Sequence, residues 1–159
     1  MKKYISLVCV TYLFILSGPV WAADITVSGA WARATPPSAK MGAAYLTIKN
    51  TGSKDDLLKS ITTEVAASPQ IHTMTMDNGI MQMRELTEGL AIPAGGEAIL
   101  SPDGTHIMLT GLKKSLIEGQ KFDLLLHFET AGEVKVTTDI KSIGYSGDKN
   151  EGTQNHSAH

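Results

Sequence analysis

Between residues 25 and 140 no apolar run repeats at the spacing of an amphipathic helix, while turn residues interrupt the chain at short, regular intervals. Ile25–Arg33 (ITVSGAWAR) alternates and stops at Thr35-Pro36-Pro37. Ala43–Lys49 (AAYLTIK) stops at Asn50-Thr51-Gly52. Leu57–Ala66 and Gln70–Met76 follow, with Ser68-Pro69 read as the break between them. Asp77-Asn78-Gly79 predicts a hairpin into Ile80–Glu85, because Asn-Gly readily takes the positive φ angles of a two-residue turn. Pro93-Ala94-Gly95-Gly96 and Pro102-Asp103-Gly104 flank a short strand at Glu97–Leu100, and Thr105–Leu109 is the next. Lys121–Glu129 and Glu133–Ile140 form a closing hairpin through Thr130-Ala131-Gly132. Short strands at roughly eight-to-twelve-residue intervals predict an all-β Greek-key sandwich or barrel.

The N-terminus is of another kind. Met1-Lys2-Lys3 is basic, Tyr4–Leu16 is uncharged and apolar, and Ser17-Gly18-Pro19 breaks the run before Val20-Trp21-Ala22. That pattern predicts a signal peptide, residues 1–22, cleaved after Ala22. The apolar run is short for a bilayer span, so no stable membrane anchor is expected after cleavage. A β domain over 23–145 and a flexible tail over 146–159 (SGDKNEGTQNHSAH, with nothing to bury) complete the organisation.

Cleavage removes Lys2 and Lys3, taking the 14 basic groups to 12 against 16 acidic ones, a net −4. With no basic footprint, nucleic acid is not an expected partner. The single cysteine, Cys9, leaves with the leader, and it lies inside the apolar run rather than where a lipoprotein cysteine stands. The exported chain is then cysteine-free in an oxidising compartment, and its stability must come from a packed core. Thiol catalysis, Cys-based zinc sites and blue copper are excluded for want of a ligand.

What remains chemically distinctive is a cluster of methionine and histidine. Five methionines fall between Met74 and Met108, and His72 and His106 bracket the same stretch. Strand period two puts His72, Met74 and Met76 on one face, Met81 and Met83 on one face, and His106 and Met108 on one face. A hairpin brings Met74 or Met76 near Met81 or Met83. Thioether sulfur and imidazole nitrogen suit the soft Cu(I) ion, whereas hard cations prefer oxygen. Thioethers carry no proton to lose and form no disulfide, and neutral ligands suit a carrier that must release its metal. Taken singly, each methionine reads more readily as a core gap-filler than as a ligand. On the residues alone, a copper site and a metal-free β-sandwich binding module both stand. No nucleophile, base and orienting group converge, so the chain does not read as an enzyme. Asp103 and Glu85 read as turn and surface groups.

The segments HTMTMDNGIMQMR, GLAIPAGG and HIMLTGL, with WARATPP…AAYLTIKNTG before them, resemble the periplasmic copper chaperone family PCu(A)C across nearly the whole mature chain. That family's signature is a His, ten residues, a Met, about twenty-one residues, then His-x-Met; here the intervals are ten (Thr73 to Gln82) and twenty-two (Arg84 to Thr105). The extra residue falls in a Gly/Pro-rich connection. The resemblance implies Cu(I) ligands at His72, Met83, His106 and Met108. It leaves Met74, Met76 and Met81 as supporting, entry or packing groups. It further implies a cupredoxin-like fold, a periplasmic location, and copper supplied to the CuA site of cytochrome c oxidase subunit II alongside Sco-type proteins. Copper storage or tolerance would use the same site. His127, in the apolar run LLLHF, reads as a non-ligand. His-rich tails capture Cu(II) in some members, but with only His156 and His159 here a plain solvated terminus is the default reading.

Overall fold

The computed structural model describes residues 24–147. The expected signal peptide and nearly all of the expected tail, with His156 and His159, lie outside the described residues. Among the described residues ten strands run in chain order: β1 (Ile25–Arg33), β2 (Met41–Asn50), β3 (Asp56–Thr63), β4 (Ala66–Asp77), β5 (Ile80–Glu85), β6 (Leu90–Ile92), β7 (Glu97–Leu100), β8 (His106–Leu112), β9 (Lys121–Phe128) and β10 (Glu133–Lys141). They form a mixed sheet ordered β5-β4-β8-β2-β1-β10-β9-β3-β6, with β7 beside the second half of β2. Every pairing is antiparallel except β1 with β10. Strands β3 and β4 are consecutive in the chain, yet lie towards opposite ends of that order. Only Glu64-Val65 joins them, so the sheet must fold back on itself as a cupredoxin-like Greek-key sandwich around one core. The Lys113 N–H donating to the Val65 carbonyl at 3.0 Å pins that corner.

Alternation along the strands decides which side chains enter the core. The register aligns Ile140 with Ala32, Ala32 with Ala44, Ala44 with Ile107 and Ile107 with Ile71, and all five are buried. Leu46, Ile48, Leu58, Leu109, Leu124 and Leu126 complete the interior. Each such Leu or Ile contributes roughly 1.5–3 kcal/mol by leaving water. Because the side-chain period is two, the neighbouring positions His72, His106 and Tyr45 point to the other face of the same strands.

One expectation needs correction. Ser68-Pro69 does not separate strands: both residues lie inside β4, and the break falls earlier, at Glu64-Val65. Proline is tolerated there because β5 reaches only to Glu85, opposite His72, so Pro69 has a strand neighbour on one side alone, Leu109 of β8. The three-residue β6, unassigned on sequence grounds, pairs with Asp56–Leu58 of β3, and its length is too short for alternation to register in the sequence.

Candidate metal centre

The β4–β5 hairpin is set by its turn. Asn78 and Gly79 have φ of 48° and 81°, the left-handed pair that matches the twist of the flanking strands. That turn fixes the register at Asp77 with Ile80, and hence Met76 with Met81, Met74 with Met83 and His72 with Glu85. On the other side of β4, His72 lies directly opposite His106 and Gln70 opposite Met108. Directly opposed residues share a face, so these methionines and histidines, with Glu85 and Gln70, belong to the outward surface, while Asp77 and Ile80, one position out of phase, face the other way.

A row therefore crosses the sheet on that surface, from Trp31 through Tyr45, His106 and His72 to Glu85. Ring centroids lie 4.4 Å apart for Trp31 and Tyr45, 6.4 Å for Tyr45 and His106, and 6.1 Å for His106 and His72. Trp31, Tyr45 and His106 are buried although they face away from the main core. Tyr145 meets Trp31 edge-on at 4.7 Å and covers that end. Burial, more than the Asp103 carboxylate, holds the Tyr45 phenol above its usual range against the pull of the Arg33 guanidinium.

His106 donates from Nδ1 to the Gly104 carbonyl at 3.0 Å. A carbonyl only accepts, so this bond fixes the tautomer and leaves the Nε2 lone pair as the ligating position. His72 differs. Both of its ring nitrogens are buried and neither has a hydrogen-bond partner. A buried imidazole without partners costs about 1–3 kcal/mol, which makes it a position kept for something other than folding. Among the described residues no three His, Cys, Asp or Glu side chains converge, so a metal held here must draw on thioethers.

Those thioethers are present and accessible. None of the six methionines in the described residues belongs to the buried core; Met83 is 46% exposed, Met81 50% and Met76 65%, while Met74 and Met108 are half-buried. Core packing does not explain the exposed Met76, Met81 and Met83, and the reading of those three as gap-fillers fails. The structure brings His72 and His106 into a direct pair. It sets Met83 and Met108 on diagonals of that pair, one towards the hairpin turn and one away from it. Met108 borders a shallow depression of about 290 Å³ that Arg33, Met41 and Tyr45 also line.

The remaining polar groups sit where turn and surface residues belong. Glu85 is exposed and accepts from Gln70 Nε2 at 2.9 Å, and Asp103 lies in the turn before β8. His127 is far along the sheet on β9, between Thr62 (3.1 Å) and the Glu133 carboxylate (3.2 Å). The backing of His106 by Tyr45 and Trp31 escapes a reading of the sequence. Alternation places Tyr45 on the face opposite Ala44 and Leu46, but nothing local says that β2 lies beside β8.

Known proteins share this architecture. The family model LpqE-like ("Putative lipoprotein LpqE-like") matches residues 25–140. "Putative lipoprotein Lxx21020" of Leifsonia xyli subsp. xyli (strain CTCB07) is 36% identical over 131 residues, covering 82% of this chain and 78% of that protein. The solution structure of the Cu(I) form of DR1885 from Deinococcus radiodurans superposes with a TM-score of 0.63 at 34% identity, covering 77% of this chain and 81% of that one. The copper-bound PCuAC domain from PmoF2 has a TM-score of 0.64 at 21% identity, over 77% of this chain and 97% of that domain, a likeness of fold. With the match spanning β1 to β10, the chain has the all-β fold of the PmoF2 PCuAC domain and belongs to the LpqE-like family.

Proposed function

We propose that this protein is a copper chaperone, a non-enzymatic carrier that binds Cu(I) through His72, Met83, His106 and Met108 and hands it to an acceptor. The observation that carries the reading is the unpartnered buried imidazole of His72, opposite a tautomer-fixed His106 and flanked by solvent-facing thioethers. Two imidazoles and thioethers form a soft, neutral donor set suited to a d¹⁰ monovalent ion. The Cu(I) form of the 34%-identical DR1885 supports the same cargo. The leader-like N-terminus and the name of the Leifsonia relative support export, with the periplasm as the compartment. For the acceptor, the CuA site of cytochrome c oxidase subunit II, with Sco-type partners, follows from the resemblance. Capture of Cu(II) by His156 and His159 is the corresponding proposal for the tail.

The test is an anaerobic Cu(I) titration against a chromophoric chelator. One tight equivalent is expected, with affinity falling at least ~10-fold, the equivalent of about 1.4 kcal/mol, in Met83→Leu and in Met108→Leu. Their thermal midpoints should stay close to the parent, because Leu and Met are similar in volume. A protein that leaves all copper with the chelator would end this reading.

A further inference from the structure

Beyond the four ligands just proposed, the hairpin carries thioethers that the carrier site does not use. Met76 and Met81 are directly opposed next to the turn, and Met74 and Met83 form the next rung. All four share the face that bears His72 and His106. Strand β8 begins at His106, opposite His72, so beyond that point β4 pairs with β5 alone and the hairpin projects past the body of the sheet. Its two faces differ sharply. Thr73, Thr75, Asp77, Gln82 and Arg84 occupy one, with Ile80 opposite Asp77 beside the turn; there Arg84 meets Asp77 at 3.4 Å and Thr75 donates to the Gln82 carbonyl at 3.3 Å. The other is methionine.

Met76 and Met81 are both exposed, and neither belongs to the core. In a directly opposed antiparallel pair the Cβ atoms lie about 4.5–5.5 Å apart. Each sulfur sits at the end of a flexible unbranched chain, so two thioethers at that spacing can close on one soft monovalent ion between them. Rungs on one face recur every two residues, about 6.8 Å along the strand. The tip pair is thus two rungs from the histidines, too far for one ion to serve both, and close enough for an ion to step along the hairpin.

We infer that Met76 and Met81 form a second, weaker Cu(I) site at the tip of the β4–β5 hairpin, distinct from the histidine-centred site and leading to it. The inference rests on the copper reading for its role, while the site itself is tested separately. The purified protein, labelled with ¹³C at its methionine methyl groups, is titrated with Ag(I), the redox-inert soft surrogate, and followed by NMR. The first equivalent should move Met83, Met108 and the His72 and His106 ring signals. The second should move the Met76 and Met81 methyls. Met76→Leu/Met81→Leu should lose the second equivalent and keep the first, with the Met41 methyl unshifted as the sign of an intact fold. A second equivalent that leaves Met76 and Met81 unmoved, whether it goes to His156 and His159 or nowhere, overturns the tip site. A first equivalent that settles on Met76 and Met81 with His72 unmoved upholds the tip site and overturns the carrier site.

Discussion

His72 sets stability against function at one residue. Its two ring nitrogens are buried without partners, while Ile71 beside it is an ordinary core side chain. Replacing His72 with Leu should raise the unfolding free energy by about 1–2 kcal/mol, since it removes two unpaired buried polar atoms, while copper binding is lost. Chemical denaturation checks this, and a variant less stable than the parent would show that the imidazole has a folding role after all. The proposed donor set at this scale, His72, Met83, His106 and Met108, comes from residue type, strand parity and family resemblance. Burial was not readable. Parity says which residues share a face, and it does not say that Trp31, Tyr45 and Tyr145 roof one end of it.

At the scale of the element, the hairpin turns a sequence interval into a surface. Asn78-Gly79 fixes the register, and the register puts Met83 with Met74 and Gln82 with Thr75 on opposite faces. Exchanging two adjacent residues, Gln82→Met together with Met83→Gln, keeps composition while moving one sulfur to the polar face. Copper affinity should fall as far as it does in Met83→Leu, with the thermal midpoint changed little; unchanged affinity would mean that Met83 is not a ligand. The hairpin and both of its strand faces were legible because the turn signal is local. The pairing of β4 with β8 was not, because it brings together His72 and His106, which lie 34 positions apart in the sequence. Pro69 misled the reading for a related reason. Its penalty depends on whether a neighbour lies on its N–H side, a fact of the sheet and not of the peptide.

For the whole molecule, one buried carboxylate ties distant parts together. Asp56, at the start of β3, accepts from Leu57 N (2.8 Å) and Thr130 N (2.9 Å) at Oδ1 and from Ala131 N (2.9 Å) at Oδ2. Desolvation alone would lift this carboxyl; the backbone donors of Thr130, Leu57 and Ala131 outweigh it and hold it below the usual range. The folded state therefore prefers the charged form. The stabilisation is present above the ordinary carboxylate range and is lost as pH falls through the lowered folded value. Asp56→Asn should lower the unfolding free energy by about 2 kcal/mol at neutral pH and weaken the acid dependence, as measured by denaturant titration at several pH values. Equal loss at all pH values would assign the effect to packing.

The parallel pairing of β1 with β10 has a temporal consequence. The first strand cannot find its second neighbour until the last strand exists, so Trp31, Ala32 and Arg33 wait for Asp139, Ile140 and Lys141. Contacts between the ends of a chain are the slowest to form, because the longest loop must close first. A polypeptide delivered N-terminus first through a narrow pore would stay loose for almost its entire passage, and would lock only when its final strand emerged on the far side.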